Sequence, residues 1–185
     1  HREMASGLSM PIGFKNSTAG SLQAATNAML AASQPHHFLG INHHGLASIV
    51  ATTGNPDCHL VLRGGKHGPN YDIDNVAQAA AALNQDGINP RIMIDCSHAN
   101  ANKDHNSQVT VLDSIADQLS AGSQHILGVM IESHLVAGKQ PIPKDLSQLT
   151  YGQSITDSCV DFEMTAQMLH KLANAVGRSQ VASVH

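Results

Sequence analysis

The 185-residue sequence has no tryptophan, two tyrosines and three phenylalanines, so its core has to be filled by alanine, leucine, isoleucine, valine and methionine. Basic residues are scarce as well. Ten Lys plus Arg stand against fourteen Asp plus Glu, a formal charge of -4, which leaves no surplus to neutralise a phosphate backbone and argues against a nucleic-acid partner. No run approaches the roughly 20 apolar residues that a bilayer-spanning helix needs, so no membrane segment is expected. Cys58, Cys96 and Cys159 are few and irregularly spaced, a usage that fits a reducing compartment better than a disulfide framework; the cytoplasm is the expected location. His1-Arg2-Glu3 leads into no apolar run of the kind a secretory leader carries. A P-loop, a dinucleotide glycine fingerprint, CxxC and GxSxG are all absent, which lowers nucleotide, thiol-redox and serine-hydrolase chemistry.

What is present is an alternation of short apolar runs and alanine-rich amphipathic stretches. Strands are expected at Met10 to Lys15, His59 to Arg63, Arg91 to Asp95 and Ile126 to Ile131. Helices are expected at Ser21 to Ser33, Asp74 to Gln85, Ser107 to Leu119 and Glu163 to Val176. Phe38 to Asn42 and Ala47 to Thr52, separated by His43, His44 and Gly45, read as a hairpin, and Gly138 to Gly152 as a long polar loop. Strands alternating with crossover helices predict an α/β fold with a parallel sheet.

Each core strand delivers a polar residue at or just after its carboxyl end: Lys15, Arg63, His98 and Glu132. Loops converge over those ends in barrels and open sheets, so the four are expected to face one pocket. Four strand-helix units are half of an eight-stranded barrel. An open half exposes apolar side chains and two unpaired edges, so the expectation is either a smaller open fold or a protein of which part lies outside this sequence.

His98, Glu132 and Asp157 offer an imidazole and two carboxylates, the donors of a divalent-metal site that keeps a position for substrate; the same residues also suit surface and helix-capping roles. Lys15 and Arg63 have no obvious local acidic partner, and two glycines follow Arg63. They suit a substrate phosphate or carboxylate, or intramolecular ion pairs. Of the thirteen histidines, His98 and to a lesser degree His134 occupy strand-end positions. His36, His37, His43, His44, His67, His105, His125, His170 and His185 read as packing or solvent-facing. Met29, Leu30, Met164, Met168, Leu169 and Leu172 read as helix packing against the sheet.

Taken together, the strand-end segments carry a resemblance. They are Ala5-Ser6-Gly7-Leu8-Ser9, Gly13-Phe14-Lys15-Asn16, Leu62-Arg63-Gly64-Gly65 with Asn70-Tyr71, Asp95-Cys96-Ser97-His98-Ala99-Asn100, Gly128 to His134, and Tyr151-Gly152 with Ser154-Ile155-Thr156-Asp157. The sequence closely resembles the class I 3-deoxy-D-arabino-heptulosonate-7-phosphate (DAHP) synthases over nearly all its length. The resemblance implies a (β/α)8 barrel nearly twice as long, with residues 1-185 as the carboxyl-terminal half of one catalytic domain, strands five to eight. Residues 36-53 would be an inserted regulatory β-hairpin. The first four strands, with the family's Cys metal ligand and further basic residues, would lie outside this sequence, leaving this half inactive alone.

The resemblance further implies condensation of phosphoenolpyruvate with erythrose 4-phosphate, the first step of the shikimate pathway. It implies His98, Glu132 and Asp157 as metal ligands for Mn2+, with Fe2+, Co2+ or Zn2+ as alternatives. Lys15 and Arg63 would be phosphoenolpyruvate contacts, and Asp157 would also lie near the aldose hydroxyls. An aromatic amino acid effector would bind between the hairpin and a neighbouring subunit, at Gly7, Leu8, Ser9, Phe38, Gly40 and Val50, in a homodimer or homotetramer. Gly40 stands where phenylalanine-sensitive members carry serine, and the missing hydroxyl is expected to leave space. The competing expectation is a non-catalytic half-barrel that binds an effector or associates with a partner subunit.

Overall fold

The computed structural model describes residues 1–182. Its centre is a four-stranded parallel sheet of β1 (Ile12–Lys15), β4 (Cys58–Leu62), β5 (Ile92–Asp95) and β6 (Ile126–Met130), in that spatial order. Apart from the hairpin of β2 (His37–Ile41) and β3 (Ala47–Ala51), inserted after α2 (Gln23–Ala32), strand order follows chain order. Successive right-handed crossovers in one direction put every connecting helix on the same face, the winding of a barrel rather than of a two-sided sheet.

The core obeys that geometry. Leu60 and Leu62 of β4 and Ile92 and Ile94 of β5 pack with Met29 of α2, Leu83 of α3 (Ile73–Gln85), Leu112 and Ile115 of α4 (Ser107–Ser120) and Met168 of α5 (Phe162–Ala182). These sheet residues alternate along their strands, as one pleated face demands. The alternate residues Gly13, His59 and Val61 meet on the opposite face, where a Cβ on Gly13 would stand 2.7 Å from Val61 and 2.9 Å from His59. Among the described residues no helix is long and apolar enough to cross a membrane.

The α/β expectation and its four core strands stand, with helix ends shifted by a few residues. A short helix α1 (Arg2–Ser6) was unforeseen, because five residues are too few for apolar periodicity to register. The polar loop after β6 also holds structure: β7 (Val136–Lys139) pairs with the two-residue β8 (Gln153–Ser154), and Leu146–Gln148 form one 3-10 turn. Side chains rather than hydrophobicity organise it. The Gln140 amide donates to the carbonyls of Thr150 and Gln153 and accepts from Thr150 N–H. Leu30 and Leu169, expected in the helix packing, are 41% and 51% exposed, since they fall off the buried stripes carried by Met29 and Met168. The expectation for His185 lies outside the described residues.

Helix α3 begins at a side-chain cap. Asp72 accepts from the backbone N–H groups of Asp74 and Asn75 at 3.1 and 3.0 Å. Replacing Asp72 by alanine is expected to cost about 1 kcal/mol, read as a lower urea midpoint. Burial pushes the Asp72 carboxyl up, but the bonds from Asn75 and Asp74 outweigh it and hold the group below its ordinary value. The stabilisation is therefore present above the unfolded value and lost as pH falls through the folded one, so parent and variant should converge in acid.

Candidate metal centre

Three loops bring together three side chains that could hold a metal ion. His98 follows β5 in a turn where it takes φ +53, a left-handed conformation rare for a residue with a Cβ. Glu132 stands two residues beyond β6, and Asp157 lies between β8 and α5. His98 Nε2 is 3.6 Å from Glu132 Oε1 and 3.9 Å from Asp157 Oδ2, and one donor atom from each residue lies within 4.8 Å of the others. An imidazole and two carboxylates form a set that suits Mn2+, Fe2+, Co2+ or Zn2+, and three protein ligands leave room for substrate.

Neighbouring groups hold these side chains in place. Gln108, fully buried on α4, accepts from Glu132 N–H at 2.9 Å and donates to Glu132 C=O at 3.1 Å, a reciprocal amide clamp. Burial raises the Glu132 carboxyl; His98 opposes the rise, and the charges of Asp157 and Asp95 add to it. Asp157 is 68% exposed at its side chain, on the open side of the cluster. The backbone of the Arg63 turn is held by asparagines. Asn16 Oδ1 accepts from Arg63 N–H and Asn16 Nδ2 donates to Gly64 C=O, while Asn70 Oδ1 accepts from Gly64 N–H and Asn100 Oδ1 from Asn70 N–H.

A cavity of about 520 Å³ opens over the cluster, lined by His98, Glu132 and Asp157 and by the cations Arg63, Lys66, Lys103 and Lys139. Arg63 lines this cavity, and its buried Nε has no hydrogen-bond partner among the described residues, an unmet donor.

Of the two expectations for Lys15, the structure shows the intramolecular ion pair. Lys15 is not among the cavity-lining residues, and it does have an acidic partner: Nζ donates to Asp95 Oδ2 at 2.7 Å. That pair joins the ends of β1 and β5 across β4, a proximity that sheet order creates and sequence distance hides. His105 keeps the packing role expected of it, with Nδ1 2.8 Å from Ser158 Oγ at the wall of the cavity. His134 instead accepts from Leu135 N–H and borders a separate surface hollow.

The structure groups Phe38, Gly40 and Val50 on one face of the hairpin, with Phe38 opposite Val50. Gly7 packs against Thr52, next to which Ser6 Oγ lies 2.7 Å from Thr52 Oγ1; Leu8 and Ser9 follow, exposed. The space expected at Gly40 is taken, for Val50 Cγ2 stands 2.7 Å from where a Cβ would be. The three cysteines are free, and the Cys96 thiol is pushed up to about 12, first by burial and then by the Asp95 charge.

Asp95, Gln108 and the three asparagines were missed by sequence reasoning. For Gln108 a signal existed: it precedes Val111, Leu112 and Ile115 at the spacing of the buried stripe of α4, where an amide needs a partner.

Residues 1–170 match the family model described as the DAHP synthetase I family. The chain belongs to that family. Over 177 residues it is 52% identical to a putative phospho-2-dehydro-3-deoxyheptonate aldolase of Schizosaccharomyces pombe, covering 95% of this chain and 48% of that protein. It is 50% identical over 172 residues to the Tyr-sensitive phospho-2-dehydro-3-deoxyheptonate aldolase of Escherichia coli, covering 93% of this chain and 48% of that one. The solved phospho-2-dehydro-3-deoxyheptonate aldolase of Francisella tularensis superposes with a TM-score of 0.92 at 52% identity, covering 97% of this chain and 52% of that one. As a DAHP synthetase I family member, the chain thus spans about half the length of the curated relatives it matches.

Proposed function

We propose that this chain is the carboxyl-terminal half, strands five to eight, of a (β/α)8-barrel DAHP synthase. The reaction joins phosphoenolpyruvate, D-erythrose 4-phosphate and water to give DAHP and inorganic phosphate, the first step of the shikimate pathway. The observation that carries the reading is the convergence of His98, Glu132 and Asp157 in the same cavity as Arg63, whose Nε has no partner among the described residues.

In this reading C3 of phosphoenolpyruvate forms the new bond to the aldehyde carbon of the aldose. Water adds at C2, and phosphate leaves by C–O cleavage. His98, Glu132 and Asp157 hold the divalent cation, Mn2+ in the first instance; when bound it supplies Lewis-acid polarisation of the aldehyde oxygen. Arg63 binds the phosphoenolpyruvate anion through its planar fork. Lys15 spends one N–H on Asp95, and its ammonium keeps two further donors for the same substrate. Both cations position the reactant and stabilise developing charge, and Asp157 on the exposed side of the cluster also meets the aldose hydroxyls.

Residues 36-53 form the regulatory hairpin in this reading. An aromatic amino acid binds at Gly7, Leu8, Ser9, Phe38, Gly40 and Val50, against a neighbouring subunit of a homodimer or homotetramer in the cytoplasm. Relatives named Tyr-sensitive or tyrosine-inhibited favour tyrosine as the effector.

The test joins the amino-terminal half of the Escherichia coli relative to this chain and measures phosphate release. The chimera should release phosphate only with both substrates, stop with chelator and recover with Mn2+, while the 185-residue chain alone should release none. A folded chimera without aldose-dependent release would overturn the activity. Release by the chain alone would overturn its standing as half a site.

A further inference from the structure

Asp95 has no exposed surface, yet four donors converge on its carboxylate. Lys15 Nζ and His98 Nδ1 lie 2.7 and 2.9 Å from Oδ2. The backbone N–H and the hydroxyl of Ser97 lie 2.9 and 2.6 Å from Oδ1. Two donors to each oxygen fill the lone-pair sites of an ionised carboxylate. We propose that Asp95 is a positioning residue that fixes the tautomer and direction of His98, with Lys15 as its countercharge. The inference rests on the reading of His98 as a metal ligand.

The proton count is decided locally. A carboxylate only accepts, so the Ser97 hydroxyl spends its single proton on Oδ1, and its oxygen, 2.7 Å from His98 Nδ1, is left to accept. Both neighbours of Nδ1 are then acceptors. Nδ1 carries the proton, and Nε2 presents its lone pair toward Glu132 and Asp157. The ring is set from behind by a buried carboxylate, an arrangement that orients histidine ligands and raises their basicity. The same contact explains how a residue in a left-handed turn keeps one direction: the Lys103 N–H bond to His98 C=O at 2.8 Å closes the turn, and Asp95 fixes the ring. Lys15 thereby acquires a second task, because its ammonium balances the carboxylate that sets His98.

Asp95→Asn keeps the shape and changes the proton count. Whichever way the carboxamide turns, its NH2 faces donors: Ser97 N–H in one orientation, Lys15 and His98 Nδ1–H in the other. Mn2+ affinity of the chain, read from the electron paramagnetic resonance of free Mn2+, is expected to fall 10- to 100-fold, with the circular-dichroism spectrum unchanged. Long-range 1H–15N spectra of the unmutated, metal-free chain should show the neutral ring of His98 as the Nδ1–H tautomer. The opposite tautomer, with the proton on Nε2 and none on Nδ1, overturns the proposal, as does a folded Asp95→Asn chain with parental Mn2+ affinity. If the variant does not fold, the spectrum of the parent decides alone. Failure of the folded chimera to bind Mn2+ would strike the metal assignment itself, while the tautomer spectrum would still support or overturn the role of Asp95.

Discussion

Replacing His98 by alanine is expected to lower Mn2+ affinity by well over the 10- to 100-fold that loss of an outer hydrogen-bond partner costs, and to abolish phosphate release in the completed enzyme. The size of the effect follows from what remains. Without the imidazole, Glu132 and Asp157 are two carboxylates within the span of one ion. Burial and the Asp157 charge already hold Glu132 above its ordinary value, and the variant loses His98, which favours its charged form more than Lys15 does. Backbone strain is a competing cause, since position 98 sits at φ +53. His98→Gly removes that strain and the ligand together, so the two causes separate. Equal metal loss in the alanine and glycine variants, titrated by calorimetry, assigns the effect to the imidazole; recovery in the glycine variant would assign it to the turn and sink the ligand role.

How much of this centre was legible in the sequence follows from the range of each interaction. The core strands and main helices announce themselves because period-2 and period-3.6 patterns are written within ten residues. The family motifs placed His98, Glu132 and Asp157 at strand ends, and sheet order then carried them together. Pairings across the sheet have no local signature. Lys15 and Asp95 lie 80 positions apart, and only the order β1-β4-β5 makes them partners, which is why the ion pair expected as one alternative for Lys15 had no named partner. The clamp between Gln108 and Glu132 spans 24 positions and is hidden by the habit of counting an amide as a solvent-facing residue. The β7–β8 pair was invisible because its second strand has two residues, too short to show alternation.

Gly64→Ala, in the loop that frames the site, is expected to cost roughly 2–5 kcal/mol. Two costs combine. Gly64 has φ +70, a conformation that charges any Cβ about 1–2 kcal/mol. The new carbon would also stand 2.8 Å from Ala99 C and Asn100 N, backbone atoms that cannot swing aside, and overpacking of that kind adds about 1–3 kcal/mol. Relaxation is blocked on the other side, where Gly64 N–H donates to Asn70 at 2.7 Å and Gly64 C=O accepts from Asn16 at 2.9 Å. Gly87→Ala isolates the first cost. Its φ is +69 and nothing lies within 4 Å of its Cβ position, so it should lose only the conformational part. Urea midpoints of the two variants then differ by the overlap alone. Against a domain stability of about 5–15 kcal/mol that difference is measurable. The overlap has a second reading as well, because it bears on Ala99 and Asn100, the residues that follow His98. Gly64→Ala should therefore weaken Mn2+ binding where Gly87→Ala leaves it intact, and equal losses in the two variants, in either measurement, would show that the Arg63-Gly64-Gly65 turn does not brace the His98 loop.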